Sequence, residues 1–492
     1  MDRHNLLYQS LLVCVVTIAL IRVLIKLFLT RPPKVRLPAG PWKLRVIGSM
    51  HHLVNALPHR ALRDLTRVQG PLMMLQLGEI PLVVVSSKEM ARKVLKTHDA
   101  NFATRPRLLS DIVFSPTGEY WRKLRQLCAA EILGPKRVLT FGHIREQEMA
   151  TEVARIRAAG PSTAVFHNLA NSIVVRASFG TCRGKPTSSC RQSVLASSWR
   201  AGSRSPTWRP VLAAVTGMRR ALEQIHRTVD TTLEKIIKER RGIWGSKRRQ
   251  GEEDENLAAI FDMFASGTGT LVSALCWGMS ELMRNKRVMS KLQGEIQQAF
   301  HGKATVTEAD LQESSLPYLK LVIKETLRLH PPAPLLVPRE SIEACEVEGY
   351  TIPARSRVVV NVWEIGGGPK CWDDADEFKP ERFEDSMVDF HGSSYEYLPF
   401  GAGRRMCPGI AYGLPVIEMV LLQLLYHFNW SLPDGVNELD MSEAHGLGLR
   451  RKSPLLLCAA PFVVPESTCE STTSLNKLPM HGHRIKINLV CA

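Results

Sequence analysis

Apolar residues recur at three- and four-residue intervals through most of the chain. They predict amphipathic helices over Lys88–Thr97, Gly118–Ala130, Ile144–Ala158, Gly217–Arg241, Ala258–Asn285, Val288–Phe300 and Leu316–Leu329. Leu414–Phe428 is apolar on every face and predicts a buried helix. Strand patterns are few. Leu72–Leu77 and Pro81–Val85 flank Gly78-Glu79 and predict a hairpin, and Val347–Ile352 and Val358–Val362 read as short strands. The expected architecture is mainly α with a minor β region, and no internal repeat is visible.

Leu6–Leu29 is almost wholly apolar. As a helix its roughly 24 residues rise about 36 Å, enough for a hydrocarbon core of about 30 Å. Arg22 and Lys26 lie one turn apart near one end, where long side chains snorkel. Arg31, Lys34, Arg36, Lys43 and Arg45 succeed the span, against Arg3 before it, so the body is expected on the cytosolic side. A cleaved signal peptide is the competing reading, but the flanking charge is reversed and no small-residue cleavage site stands out. The organisation expected is a signal-anchor over 1–30, a proline-rich hinge over 31–45, a catalytic body over 46–465 and an aperiodic, polar tail over 466–492. One internal stretch, Thr181–Pro210, is rich in serine and basic residues, and no acid occurs from Thr181 to Leu222.

Composition changes this picture little. Hydrophobic residues make up 45% and charged residues 23%, ordinary for a protein with a large core. The formal charge of +17 is spread along the chain without aromatic interleaving. It reads as a solvated surface biased toward membranes or acidic proteins, not as a nucleic-acid site. The 11 cysteines include no C-x-x-C pair, so neither a zinc site nor a disulfide framework is expected.

The candidate chemistry lies in Phe400-Gly-Ala-Gly-Arg-Arg-Met-Cys-Pro-Gly409, directly before the most apolar helix. A cysteine just ahead of a helix N-terminus is stabilised as thiolate by free N–H groups and the helix dipole. Glycines there let the backbone turn tightly and approach a flat cofactor. Arg405 offers a cation to an anionic group beside the ligand. Two other readings compete: a phosphate-cradling loop, which Met406 in place of a third glycine disfavours, and an inert core cysteine.

The spacing F-x-x-G-x-R-x-C-x-G, carried by Phe400, Gly403, Arg405, Cys407 and Gly409, resembles the haem-binding signature of the cytochromes P-450. Glu325-Thr-Leu-Arg328 resembles the family's E-x-x-R and Pro380-Glu-Arg-Phe383 its P-E-R-F; Trp121-Arg-Lys-Leu-Arg125 resembles its W-x-x-x-R. HPPAPLLVPRE and YLPFGAGRR give the chain the flavour of plant A-type enzymes. The resemblance covers most of residues 1–465 and implies the P-450 fold with an N-terminal transmembrane helix. It makes Cys407 the axial iron ligand of haem b, with Phe400 and Arg405 beside the haem. Trp121 and Arg125, with Arg339, would meet its propionates, and Glu325, Arg328 and Arg382 would form a buried triad. Thr270, in Ser266-Gly-Thr-Gly-Thr-Leu271, matches the threonine that helps protonate bound oxygen.

The same resemblance implies a monooxygenase of plant secondary metabolism in the endoplasmic-reticulum membrane. It would insert one atom of O₂ into a small lipophilic substrate, a terpenoid being the guess, with NADPH electrons arriving through a separate reductase. A non-catalytic or defective haem-binding relative is the alternative, and a reductase-independent isomerase or dehydratase a third reading.

Four departures bear on competence. Gly269 replaces the acid before Thr270; Ser110–Val113 stands for a longer loop; a helix before Ala258 is missing; and Glu364 and Gly366-Gly-Gly368 replace an alanine and an R-D pair. Together with Thr181–Pro210, whose texture reads as out-of-frame or mis-spliced coding, they predict weak or heterogeneous haem loading and low or no turnover. A correctly spliced, unbroken transcript across Thr181 would remove the coding explanation. For the anchor, protease added to sealed microsomes is expected to digest the body, whereas full protection beyond Pro41 would reverse the topology.

Overall fold

The computed structural model describes residues 36–106, 112–158, 250–462 and 485–489, apart from 55 and 447, with residue 17 and short pieces between 169 and 177. The Leu6–Leu29 span (Thr17 aside), the Gly217–Arg241 helix and Thr181–Pro210 lie outside the described residues. Among the described residues, one helix is long and apolar enough to cross a membrane, Ile410–His427, and it is mostly buried within the protein. It is the core helix that the apolar run at Leu414–Phe428 predicts.

Helices dominate. The longest, Gln250–Arg284, packs against Pro317–Leu329 and Ile410–His427, and Lys286–Ala299 completes this central group. Its facing side chains, including Leu275, Val322, Val416 and Leu424, are almost completely buried and form one large core. The long helix begins at Gln250, earlier than the Ala258 start expected from the sequence, and runs unbroken through the junction where a preceding helix is expected to be absent.

The β region lies to one side. Leu72–Leu77 (β1) and Ile80–Val85 (β2) form the expected hairpin, with Leu77 opposite Ile80 and Gly78 at φ +62° in the turn. Arg339–Glu340 (β3), Cys345–Val347 (β4), Tyr350–Ile352 (β5) and Arg357–Val360 (β6) come next in the chain. The main sheet has the order β1-β2-β6-β3, and β2 pairs with β6 in parallel, Val83 opposite Val358. Val347–Ile352, expected as one strand, is instead the inner half of the β4–β5 hairpin. Glu348 and Gly349 both have positive φ, 50° and 72°, and turn the chain there. The tail also differs from expectation. Ile485–Leu489 pairs antiparallel with Leu455–Pro461, which itself pairs with Phe428–Ser431. Ile485, Ile487 and Leu489 alternate with polar residues, a five-residue strand pattern hidden in an otherwise polar tail.

The charged triad forms. Glu325 and Arg328, one turn apart on Pro317–Leu329, are 0% and 1% exposed. Arg328 donates to both carboxylate oxygens of Glu325 at 2.8 and 2.9 Å, and Arg382 Nε donates to Oε1 at 3.0 Å. The remaining guanidinium nitrogens reach main-chain oxygens: Arg328 those of Gly366, Ala375 and Glu377, and Arg382 those of Asp373 and Asp374. Removing one partner strands buried charge. Glu325→Ala is therefore expected to cost about 3–5 kcal/mol, read as a lower urea midpoint, and an unchanged midpoint would show that the triad is dispensable.

Candidate active site

The Phe400–Gly409 segment becomes a tight loop because its backbone bonds to itself. Met406 N–H donates to Gly403 O and Cys407 N–H to Phe400 O, both at 3.0 Å. Gly403 has φ +69°, and a Cβ there would lie 2.4 Å from Leu95 O and 2.5 Å from Asp99 Oδ1. No other residue fits that position without displacing backbone. Phe400 anchors the loop edge-to-face against Phe390 at 5.8 Å. The Ile410–His427 helix starts directly after Gly409.

Cys407 is exposed by area, yet it lies deep in the protein, so its sulfur forms the wall of an interior cleft. Burial pushes its thiol up; the Gly409 N–H, 3.4 Å from Sγ, and the nearby charge of Arg125 pull the other way. That N–H and that cation favour thiolate over thiol, as a ligand cysteine requires.

The predicted donors gather beside this loop. Trp121 is buried and its Nε1–H donates to Ile112 O at 3.1 Å. The Arg405 guanidinium stacks on the Trp121 ring at 3.9 Å and donates to the carbonyls of Ala103 and Ser115 at 2.7 and 2.6 Å. Arg125, 5.6 Å from the same ring, donates to Met406 O at 2.8 Å. Arg339 is 3% exposed; it donates to Asp99 Oδ1 at 3.0 Å and to Ala402 O at 2.8 Å. Burial pushes the Arg339 pKa down, and Asp99 opposes it.

Thr270 sits on the long helix. Neighbouring Leu271 packs 3.7 Å from the position of a Cβ on Gly413, within the helix that begins just after Cys407. The Thr270 hydroxyl donates to Ser266 O at 2.5 Å, one turn back on its own helix. Thr268, two residues earlier, is fully buried, and its Oγ1 has no partner among the described residues.

A haem fits these residues. A sulfur ligand faces a cleft with an N–H donor at its back, and Trp121, Arg125 and Arg405 stand beside it as donors and cations. Arg339 is joined to the same loop through Ala402. Asp99 is the residue that sequence reasoning missed. It accepts from Arg339 and from Arg404 N–H, the latter at 3.1 Å, and so ties the short Asp99–Phe102 helix to the loop. No motif marks it, because its partners lie some 240 and 305 residues away.

Fold and loop together define a haem-thiolate oxidoreductase. The chain belongs to the cytochrome P-450 family, whose sequence model matches residues 38–459. It is 44% identical over 473 residues to premnaspirodiene oxygenase of Hyoscyamus muticus, covering 87% of this chain and 93% of that protein. It is 42% identical to 5-epiaristolochene 1,3-dihydroxylase of Nicotiana tabacum, again over 87% and 93%. With germacrene A hydroxylase of Barnadesia spinosa it shares 43% identity, over 86% and 92%. These likenesses make it a plant A-type monooxygenase of secondary metabolism, and none of them supports the non-catalytic alternative. The 473 aligned positions exceed the 87% of this 492-residue chain they draw on, so the alignment opens gaps in this chain.

Asp99→Ala would leave Arg339 buried without its counter-charge and free the Arg404 N–H. A stability loss of about 3–5 kcal/mol is expected, with less haem retained per chain. Haem content and a melting midpoint equal to those of the unaltered protein would remove Asp99 from the site.

Proposed function

We propose that this chain oxygenates a small terpenoid, with Cys407 as the iron ligand and electrons from NADPH delivered by a separate flavin reductase. The observation that carries the reading is Cys407 at the wall of an interior cleft, on a glycine turn backed by the Gly409 N–H. The oxygenase and hydroxylase names of the relatives support the terpenoid class, since premnaspirodiene and germacrene A are the molecules they name.

Each residue has a physical task. Cys407 supplies the thiolate, whose electron donation favours O–O cleavage when haem is bound. Arg125, Arg405 and Arg339 would offer cations to the haem's two carboxylates, and Trp121 would have to exchange its N–H bond to Ile112 O for one to a carboxylate; Phe400 braces the loop against Phe390. Thr270 positions a hydroxyl for proton delivery. With Gly269 beside it, no acid on the same turn can recharge that hydroxyl, so solvent must carry protons to it. The organisation we propose remains an anchor over 1–30, a hinge over 31–45, the catalytic body over 46–465 and a tail after it, held at the endoplasmic-reticulum membrane with the body cytosolic.

The test combines spectroscopy with turnover. Purified protein should show a reduced carbon-monoxide band near 450 nm, which Cys407→Ser should abolish. With reductase and NADPH it should oxygenate a sesquiterpene, slowly and with poor coupling. Gly269→Asp is expected to improve the coupling of NADPH use to product. A 450 nm band surviving Cys407→Ser would mean that another residue binds the iron. Full haem loading without product on any terpene would overturn the substrate class.

A further inference from the structure

Four residues before Thr270, the Gln250–Arg284 helix carries a second hydroxyl, Ser266. Residues four apart lie on one helix face, with Cβ atoms about 5–6 Å apart. The Thr270 hydroxyl already meets the Ser266 residue, donating to its main-chain oxygen at 2.5 Å. The neighbours on the helix fix where this face looks. Leu271 packs against Gly413, on the helix that starts just after Cys407, and Gly267 packs against Val174. Further along the same stripe, Ser273 and Trp277 both donate to Leu449 O and are buried. The stripe is open at its other end: Ser266 is exposed and Thr270 partly exposed, whereas Thr268, Gly269 and Leu271 are buried. The other nearby hydroxyls are engaged or turned away. Ser273 donates to Leu449 O, and Thr268 lies about 200° round the helix from Thr270, fully buried. The Ser266 Oγ is neither buried nor hydrogen-bonded among the described residues.

We infer that Ser266 is a positioning residue for proton delivery, its hydroxyl holding the water through which solvent protons reach Thr270. The inference rests on the monooxygenase reading of the site and names what stands in for the acid that Gly269 lacks. Thr270 directs its own O–H back into the helix, so a proton must be brought to its oxygen before it can pass one on. A serine hydroxyl accepts and donates at once, and one bridging water spans the gap between two side chains on successive turns. A solvent proton arrives at Ser266 Oγ as Ser266 gives its own to the bridging water. That water gives one to Thr270 Oγ1, whose original O–H proton goes on into the cleft. Each hydroxyl and the water end as they began, and the net transfer is one proton from solvent. A hydroxyl is no source of protons, so this path is slower than one ending in a carboxylic acid.

The test uses the full-length holoprotein with reductase and NADPH, and compares Ser266→Ala, Gly269→Asp and the two combined. Alanine is the better helix former and removes one oxygen from an open face, so the fold is kept. Ser266→Ala is expected to divert electrons to hydrogen peroxide and lower product per NADPH about tenfold. That is less than the roughly 10²–10⁴ of a dedicated acid–base group, because loose water still reaches Thr270. The KM for a sesquiterpene should not move. With Gly269→Asp present an acid supplies the proton, and the same substitution should cost less than about twofold, the sign that the two positions are coupled. The C–O stretch of the reduced carbon-monoxide complex reads the site without turnover and decides the matter if no product forms. A donor facing bound carbon monoxide lowers that frequency, so Ser266→Ala should raise it. An equal loss in both backgrounds, a change in KM alone, or an unmoved C–O stretch would each overturn the inference. Absence of the 450 nm band from the unaltered holoprotein would overturn the haem-thiolate reading, and the inference with it.

Discussion

A carboxylate with no exposed surface is tolerable only if both its oxygens find donors, and Glu325 meets that condition: Arg328 reaches both oxygens, and Arg382 and the Lys379 N–H reach Oε1. The satisfaction is mutual. Arg328 spends its remaining donors on the carbonyls of Gly366, Ala375 and Glu377, which pins an otherwise irregular stretch of chain to one helix. That stretch carries Trp372 and Phe383, whose rings meet Tyr397 at 6.4 and 5.3 Å. The Tyr397 hydroxyl in turn donates to Lys324 O on the triad helix. Tyr397 stands three residues before Phe400. The thiolate loop is thus hung from the triad by one aromatic cluster and one hydrogen bond, and its register depends on a charge it never touches.

The loop is held from the opposite side by Asp99 and Arg339. Gly403 leaves room for the Asp99 carboxylate, which takes the Arg404 N–H and the Arg339 guanidinium together. Arg405 meanwhile reaches the carbonyls of Ala103, Ile112 and Ser115. Three consecutive loop residues therefore contact the segment 99–115, and a cysteine between two such clamps keeps its sulfur directed at the cleft.

Much of this was legible in the chain. Elements with strong periodicity, such as Leu316–Leu329 and the β1–β2 hairpin, agree with the structure to within a residue or two, because burial of one face dictates them. Trp121, Arg125 and Arg405 stand together beside the Cys407 loop, a grouping that the family resemblance implies and bare spacing does not. The misses have physical causes. Pro58–Gln69 forms a helix with Ala61, Leu62 and Leu65 on one face and Arg60, Arg63 and Arg67 opposite; the helical spacing is there to be read and is passed over because the segment is short and rich in polar residues. The β4–β5 hairpin was hidden because Glu348, not a glycine, takes the first left-handed position. Asp99 and the Arg145–Glu308 pair were invisible for a different reason: a buried charge announces itself only through its partner, and the partner is distant in sequence.

The parallel pairing of β2 with β6 has a consequence for how the protein is made. Val85 must wait for Val360 before the sheet can close. At about 5–20 residues per second of synthesis, that interval is roughly 15–50 seconds. Through it the hairpin offers an unpaired edge of Leu82, Val83, Val84 and Val85, the kind of strand that recruits strangers. Asp99 waits nearly as long for Arg339 and longer for Arg404. The nascent chain therefore depends on chaperones, or on attachment at the ribosome, to keep its first third unassociated until its last third arrives.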